Sequence, residues 1–487
     1  MRTGMSRFVR DVGLSFASLA ISAAVHFALR VFLARYLGEG DLGLYTLSFT
    51  VYSFGILFGA FGIGAALTKY VAEFREDASR TSILLTNGII ASFAIGCIMG
   101  LLLYAGASPI ANRFFNMPEL AALLRIVSIA FPFIAMEKAT LGFLNGLRQM
   151  RLFAIINIFQ NMLIVALTVL LVLSGYGLKG AAWALVLPVV ALSLFSVFIV
   201  RDSMARPRFS PFITATKPLL AFGGFVVLAN GIGFIQTNTD SVMIGYFMKD
   251  ADVGMYAAAV ILSQAILLPS QALQMITGPT MATLWGKGDR AGIEKVVNDA
   301  MKFTAAFVVP TGFAAVMLAP DLLKMIFGET FMSATDSLRI LLIGSVSLAI
   351  WVSVGSALSC TAYVKVIFIL SSVSWGANIL LNALLIPHLG IAGAATATSI
   401  ASFLMVLIQL YFTQRLVGIR IQWKWLFRIS VFTGLLGGGC YALGHLISPY
   451  VCLFVFLVLF GAVFPKFFLG EEHLESVKQL VRRGHDA

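Results

Sequence analysis

Charge is scarce in this chain. Asp, Glu, Lys and Arg make up 11% of its 487 residues and hydrophobic residues 59%, whereas soluble domains carry roughly 25% charged residues. A water-soluble fold of this length would lack a polar skin, so the solvent that matches the composition is lipid. Cysteine is nearly absent too. Cys97, Cys360, Cys440 and Cys452 stand far apart in apolar stretches. Without a CxxC pair or a His/Cys cluster they imply neither a metal centre nor a disulfide framework, and they read as small apolar filler. No cofactor is expected. The glycine-rich run from Gly59 to Gly64 follows no strand, so it is not a nucleotide loop, and the chain has no motif for ATP hydrolysis. Its small residues suit close helix packing. The loops hold no paired carboxylates and no nucleophile–base set, so no catalytic residue is assigned and no enzyme is expected. The net charge of +12 does not point to nucleic acid, because the basic residues fall in short clusters between apolar runs, without interleaved aromatics.

What is abundant is the long apolar run. A span needs about 20 such residues, and the backbone of a span in lipid must satisfy its own hydrogen bonds, which makes each run a helix. Fourteen are expected, at about 12–36, 42–70, 81–106, 119–145, 150–174, 180–200, 215–238, 253–283, 296–318, 331–360, 363–386, 391–414, 425–446 and 449–468. The first follows Arg2, Arg7 and Arg10 and shows no small-residue cleavage site, so it reads as a span and not as a signal peptide. With the N-terminus inside, only Arg35, Arg113, Lys179, Lys249 and Lys324 fall in outer loops, while Arg30, Arg125, Lys138 and Arg339 lie within helices. The remaining Lys and Arg are then cytoplasmic, which places both termini in the cytoplasm of a multi-pass cell-membrane protein.

The halves repeat. YLGEGDLGLYTL (36–47) echoes YFMKDADVGMYAAA (246–259), Leu124-Arg125-Ile126 echoes Leu338-Arg339-Ile340, and GLKGAAWAL (177–185) echoes GIAGAATAT (390–398), in order and at offsets of 211, 214 and 213 residues. The expected architecture is an all-α membrane protein with a six-helix lobe over 1–208, a second over 209–418 in the same orientation, and two extra transmembrane helices with an amphipathic cytoplasmic tail over 419–487. Transporters use such repeats to hold a substrate site between two rocking lobes.

The segments FGIGAALTKYVAEF (61–74), RYLGEGDLGLYTL (35–47) and TDSVMIGYFMKDADVGMY (239–256) resemble the polysaccharide-transport branch of the multidrug/oligosaccharidyl-lipid/polysaccharide exporters, the oligosaccharide flippases. The resemblance runs over nearly the whole chain. It implies a V-shaped pair of lobes, a cationic central cavity, and a substrate made of an oligosaccharide on a polyprenyl phosphate or pyrophosphate. Membrane lipids and other glycan-assembly membrane proteins are the implied partners, nucleic acid is not, and a monomer is expected. Two competitors stand beside it: a cation-coupled multidrug or toxin antiporter of the same superfamily, and a membrane-embedded glycan polymerase or ligase. Antiporters want buried acids in the first lobe, where helix 1 has none; polymerases and ligases want a sizeable catalytic outer loop.

Charges in a bilayer need a partner, a wet cavity or a route to the interface. Helix 1 carries Ser15, Ser18, Ser22, His26 and Arg30 on one face, a stripe of about 22 Å. It is either packed on a neighbouring helix or a cavity wall in which Arg30 receives phosphate, and the second reading suits the bidentate guanidinium. Leu29 is the expected lipid-facing reference. Helix 7 carries Asn230, Thr237 and Asp240 on one face; Asp240 is a capping residue, a partner for Arg30, or a protonatable coupling site. Glu137, beside Lys138 in helix 4, is a second coupling candidate. Neighbours there point about 100° apart, so at least one faces the bundle interior. Gln264 and Gln271 on helix 8 suit sugar hydroxyls or interhelical hydrogen bonds. Arg125 and Arg339 recur in both halves, which favours a structural role.

Overall fold

The computed structural model describes residues 24–205, 209–359, 363–444 and 448–468. Ser15, Ser18, Ser22, Cys360 and the tail 471–487 lie outside the described residues. Within them the chain is helical throughout, with no strand. The helices are α1 (24–37), α2 (Glu39–Gly59), α3 (Ile63–Glu73), α4 (Ala78–Pro109), α5 (Leu120–Ser128), α6 (Ala130–Gly146), α7 (Met150–Leu171), α8 (Gly177–Val200), α9 (Phe209–Phe247) and α10 (Asp250–Ala265). They continue as α11 (Leu268–Gly286), α12 (Arg290–Met317), α13 (Ala319–Ile326), α14 (Thr335–Val352), α15 (Ser356–Ser359), α16 (Val364–Val417), α17 (Trp423–Gly444) and α18 (Pro449–Phe468).

Among the described residues, seven helical stretches are long and apolar enough to cross a membrane, or nine when two bent pairs count as spans. Two of these, Met150–Ser203 and Val366–Val417, run to 54 and 52 residues, about twice what a bilayer needs. Each doubles back at a glycine. Gly177 has φ 51° and ψ −138°, and Gly390 has φ 59° and ψ −139°. No L side chain adopts that conformation without strain, and the two positions are the first residues of the echoing segments. Splitting both stretches there, and adding the described helices α1, α17 and α18, gives fourteen helical segments at the positions of the expected runs.

Local chemistry repeats elsewhere. Asp77 caps α4 by accepting from the Arg80 amide, and Asp289 caps α12 by accepting from the Gly292 amide, 212 residues later. Helices α2 and α10 each open with two acids, Glu39 and Asp41, and Asp250 and Asp252, which suit the positive end of the helix dipole. Arg125 donates to Ser108 at 2.8 Å, and Arg339 reaches the Val316 carbonyl at 3.4 Å. Each guanidinium thus ties a helix back to the end of the long helix before it, which is the structural role expected.

The described chain forms two compact units, Met1–Ala257 and Ala258–Ala487. Helix α9 packs along α2, α3 and α4 and so falls in the first unit. Lipid-embedded helices gain little from burying apolar surface against one another, so small residues and close packing hold them. In the first unit α3 and α6 meet at Gly64 and Gly142, where a Cβ on either would overlap the opposite backbone. Thr68 sits in that crossing and donates to the Gly142 carbonyl at 3.0 Å. Gly62, at the break between α2 and α3, packs likewise on the Gly223 backbone. Gly62 and Gly64 of the glycine-rich run are therefore packing positions, whereas a Cβ at Gly59 would meet open space. Around it lie buried Ile63, Leu67, Leu85, Leu144 and Leu219.

In the second unit, one core gathers Met281, Val297, Leu358 and Leu410, and another joins Phe456 and Phe460 of α18 to Ile429. Cys440 and Cys452 are buried in the latter as free thiols. The expected single span over 253–283 is broken: α10 and α11 bend by 47° at Ile266–Leu267. Pro269, in the first turn of α11, has no N–H and crowds the carbonyl four residues before it, which interrupts the ladder.

Candidate functional site

The first unit holds a belt of polar side chains inside its apolar bundle. From α1, the His26 Nε2 lies 2.9 Å from Asn161 Oδ1 on α7. One turn further on, the Arg30 guanidinium sits 5.6 Å from the ring centroid of Phe49 on α2, a cation–π contact. From α6, Glu137 is 1% exposed. One of its carboxylate oxygens accepts from Gln160 Nε2 at 2.8 Å, and Oε1 has no partner. From α9, Asn238 accepts from Thr50 Oγ1 at 3.3 Å, and Asp240 accepts from the Tyr256 hydroxyl at 2.6 Å.

Lys138, one residue after Glu137, turns the other way. It lines a cavity of about 350 Å³ together with Ser53, Thr68, Asn145, Asn157 and Asn230. No carboxylate lines that cavity, and Lys138 forms neither an ion pair nor a hydrogen bond among the described residues. A second cavity of about 410 Å³, lined by Phe54, Phe58, Leu102, Phe131 and Phe234, is apolar but for Thr50. The first cavity can hold an anionic, hydroxyl-bearing group; the second can hold only hydrocarbon.

The sequence profile described as "Polysaccharide biosynthesis protein" matches residues 32–336. The chain belongs to the polysaccharide biosynthesis protein family. It is 22% identical over 447 residues to a probable low-salt glycan biosynthesis flippase, Agl15, of Haloferax volcanii, covering 91% of this chain and 92% of that one. It is also 22% identical to a putative O-antigen transporter of Shigella flexneri, over 77% of this chain and 90% of that one. Among solved structures, the lipid II flippase MurJ in an inward closed conformation superposes with a TM-score of 0.73 at 18% identity, covering 93% and 99% of the two chains. An inward-facing multidrug resistance MATE family transporter superposes with a TM-score of 0.60 at 16% identity, over 82% and 94%. At such identities the likeness establishes the fold, that of the multidrug/oligosaccharidyl-lipid/polysaccharide exporter superfamily.

In this family member the expected site residues fare differently. His26 and Arg30 lie on the interior side of α1, His26 toward α7 and Arg30 toward α2. Leu29 is 1% exposed and does not face lipid, because α1 is packed on more than one side. Arg30 and Asp240 do not pair in this conformation; Phe49 and Tyr256 are their respective neighbours. Asn230 lines the Lys138 cavity, whereas the Thr237 hydroxyl is turned back onto the Gly233 carbonyl at 2.9 Å. Gln264 and Gln271 are exposed on either side of the α10–α11 bend, so a helical face cannot be read through them.

Sequence reasoning expected α7 as a span but missed its polar face. Asn157, Gln160 and Asn161 are spaced by 3 and 1 residues in an otherwise apolar helix, and they supply the partners of Glu137 and His26 and one wall of the cavity. The signal was the one applied to helix 1: polar residues gathered on one face of a span.

Proposed function

We propose that this protein is a flippase that carries a polyprenyl-(pyro)phosphate-linked oligosaccharide across the cytoplasmic membrane for surface polysaccharide biosynthesis, by alternating access of its two halves. Both termini then lie in the cytoplasm. The observation that carries the reading is the Lys138 cavity in a polysaccharide biosynthesis family fold. One cation and five uncharged hydrogen-bonding side chains suit a phosphate with sugar hydroxyls beside it. The relatives named as a glycan flippase and an O-antigen transporter support the same substrate class. In this reading Arg30 and His26 on α1 form the cationic wall further along the path.

One observation favours a second reading. Glu137 is a buried acid in the first unit, as a cation-coupled antiporter would want. Both readings are separable by experiment. The purified protein, reconstituted into vesicles, should translocate a fluorescent prenyl-pyrophosphate-linked oligosaccharide and restore surface glycan in a flippase-deficient strain. Efflux of a cationic dye, with no movement of the lipid-linked glycan, would decide for the antiporter.

A further inference from the structure

Lys138 is an unusual charge. It is half-buried in α6, within a span, where an ammonium persists only with a partner or in a wet cavity. Its neighbour in sequence, Glu137, is hydrogen-bonded to Gln160 and forms no ion pair with it, although the two opposite charges still attract one another. No other carboxylate lines the cavity. Around the ammonium, Ser53, Asn145 and Asn230 make no side-chain hydrogen bond to any described residue, so their donors are available to a guest. Thr68 and Asn157 are committed to backbone carbonyls. A volume of about 350 Å³ falls at the small end of ligand pockets, enough for a head group and too small for an oligosaccharide.

The level of this cavity is informative. Lys138 lies eight residues before the end of α6 and Arg30 seven before the end of α1, which is roughly 10–12 Å in each case. Chain direction alternates from span to span, so those two ends lie on opposite sides of the membrane. Arg30 and Lys138 thus lie in opposite halves of the bilayer.

We propose that Lys138, with Ser53, Asn145 and Asn230, is a loading site for the phosphate of the lipid-linked head group, occupied before that phosphate reaches Arg30. This rests on the flippase reading and deepens it. A phosphate entering the bundle gives up hydration, and a charge-assisted contact with available amide and hydroxyl donors offsets the loss. A second cation across the bilayer gives the same group somewhere to go.

The test is equilibrium binding of radiolabelled geranylgeranyl phosphate to the purified full-length protein in nanodiscs. Unlabelled geranylgeraniol and inorganic phosphate serve as competitors, and surface glycan in the flippase-deficient strain is measured alongside. Lys138→Gln should weaken binding about tenfold or more, the loss of one hydrogen-bonded charge. Lys138→Arg should stay within about threefold, because the charge survives, and it guards against a folding defect in the first variant. Equal affinity in Lys138→Gln, in a protein that still exports glycan, would overturn the loading site and leave the flippase reading standing. Inorganic phosphate competing as well as the lipid would overturn the assignment to a lipid-linked phosphate. A wild-type protein that neither binds the probe nor supports glycan export would remove both.

Discussion

The contact between α2 and α10 lends itself to a quantitative test. A methyl group on Gly43 would overlap the carbonyl oxygen of Asp250, and one on Gly254 would overlap the carbonyl oxygen of Glu39. The same contact is thus made twice, in opposite directions, by residues 211 apart on both sides. The obstructing atoms belong to the backbone and cannot rotate away, so either alanine must push the helices apart. Extra carbon forced into a packed contact costs about 1–3 kcal/mol, and rigid neighbours on both sides favour the upper part, about 2–3 kcal/mol for Gly43→Ala or Gly254→Ala. The double variant is the informative one. Both methyls sit at one crossing, so the separation forced by the first makes room for the second. The pair should therefore cost little more than either alone, a coupling of about 2 kcal/mol in a double-mutant cycle. Denaturant unfolding in detergent, followed by helical circular dichroism, measures all three. Additive costs, or single variants that differ widely from each other, would refute the reciprocal crossing.

Asp77→Ala and Asp289→Ala should each lower stability by about 1 kcal/mol, the worth of an N-cap, and should add in the double variant because the two caps are separate; circular dichroism melts would show it. Arg30→Ala should abolish glycan export at normal membrane abundance and Arg30→Lys should keep part of it, since the charge survives without the bidentate fork; full export by an abundant Arg30→Ala protein would leave Arg30 as a packing residue on Phe49. Cysteines at His26 and Asn230, in a background without the four native ones, should react with a water-soluble thiol reagent much faster than a cysteine at Leu101, which is 69% exposed on an apolar surface. Equal protection at the three positions would mean that the polar belt is dry.

Much of this architecture was written along the chain. The apolar runs determined that the protein lives in lipid, and the absence of water there made every run a helix. The repeat was legible because its key positions are glycines and acids whose roles are local: Gly177 and Gly390 turn the chain back, and acids open α2 and α10. Such roles depend on backbone conformation and helix polarity, which a sequence shows directly. Tertiary structure decided which neighbour each polar side chain meets. A periodic stripe says that Arg30 avoids lipid, but the rotation of α1 against α2 and α7 set Phe49, and not Asp240, as its neighbour. Glu137 and Lys138 are adjacent in sequence and about 100° apart on the helix; only the packing of α6 showed that the acid is sealed against Gln160 while the lysine opens into a cavity. The bend at Ile266–Leu267 likewise separated Gln264 from Gln271, because a proline in the first turn of α11 breaks the face that periodicity assumes to be continuous. In a bilayer any buried polar group needs some partner, and several helices can supply one, so the choice belongs to the packing of the whole bundle.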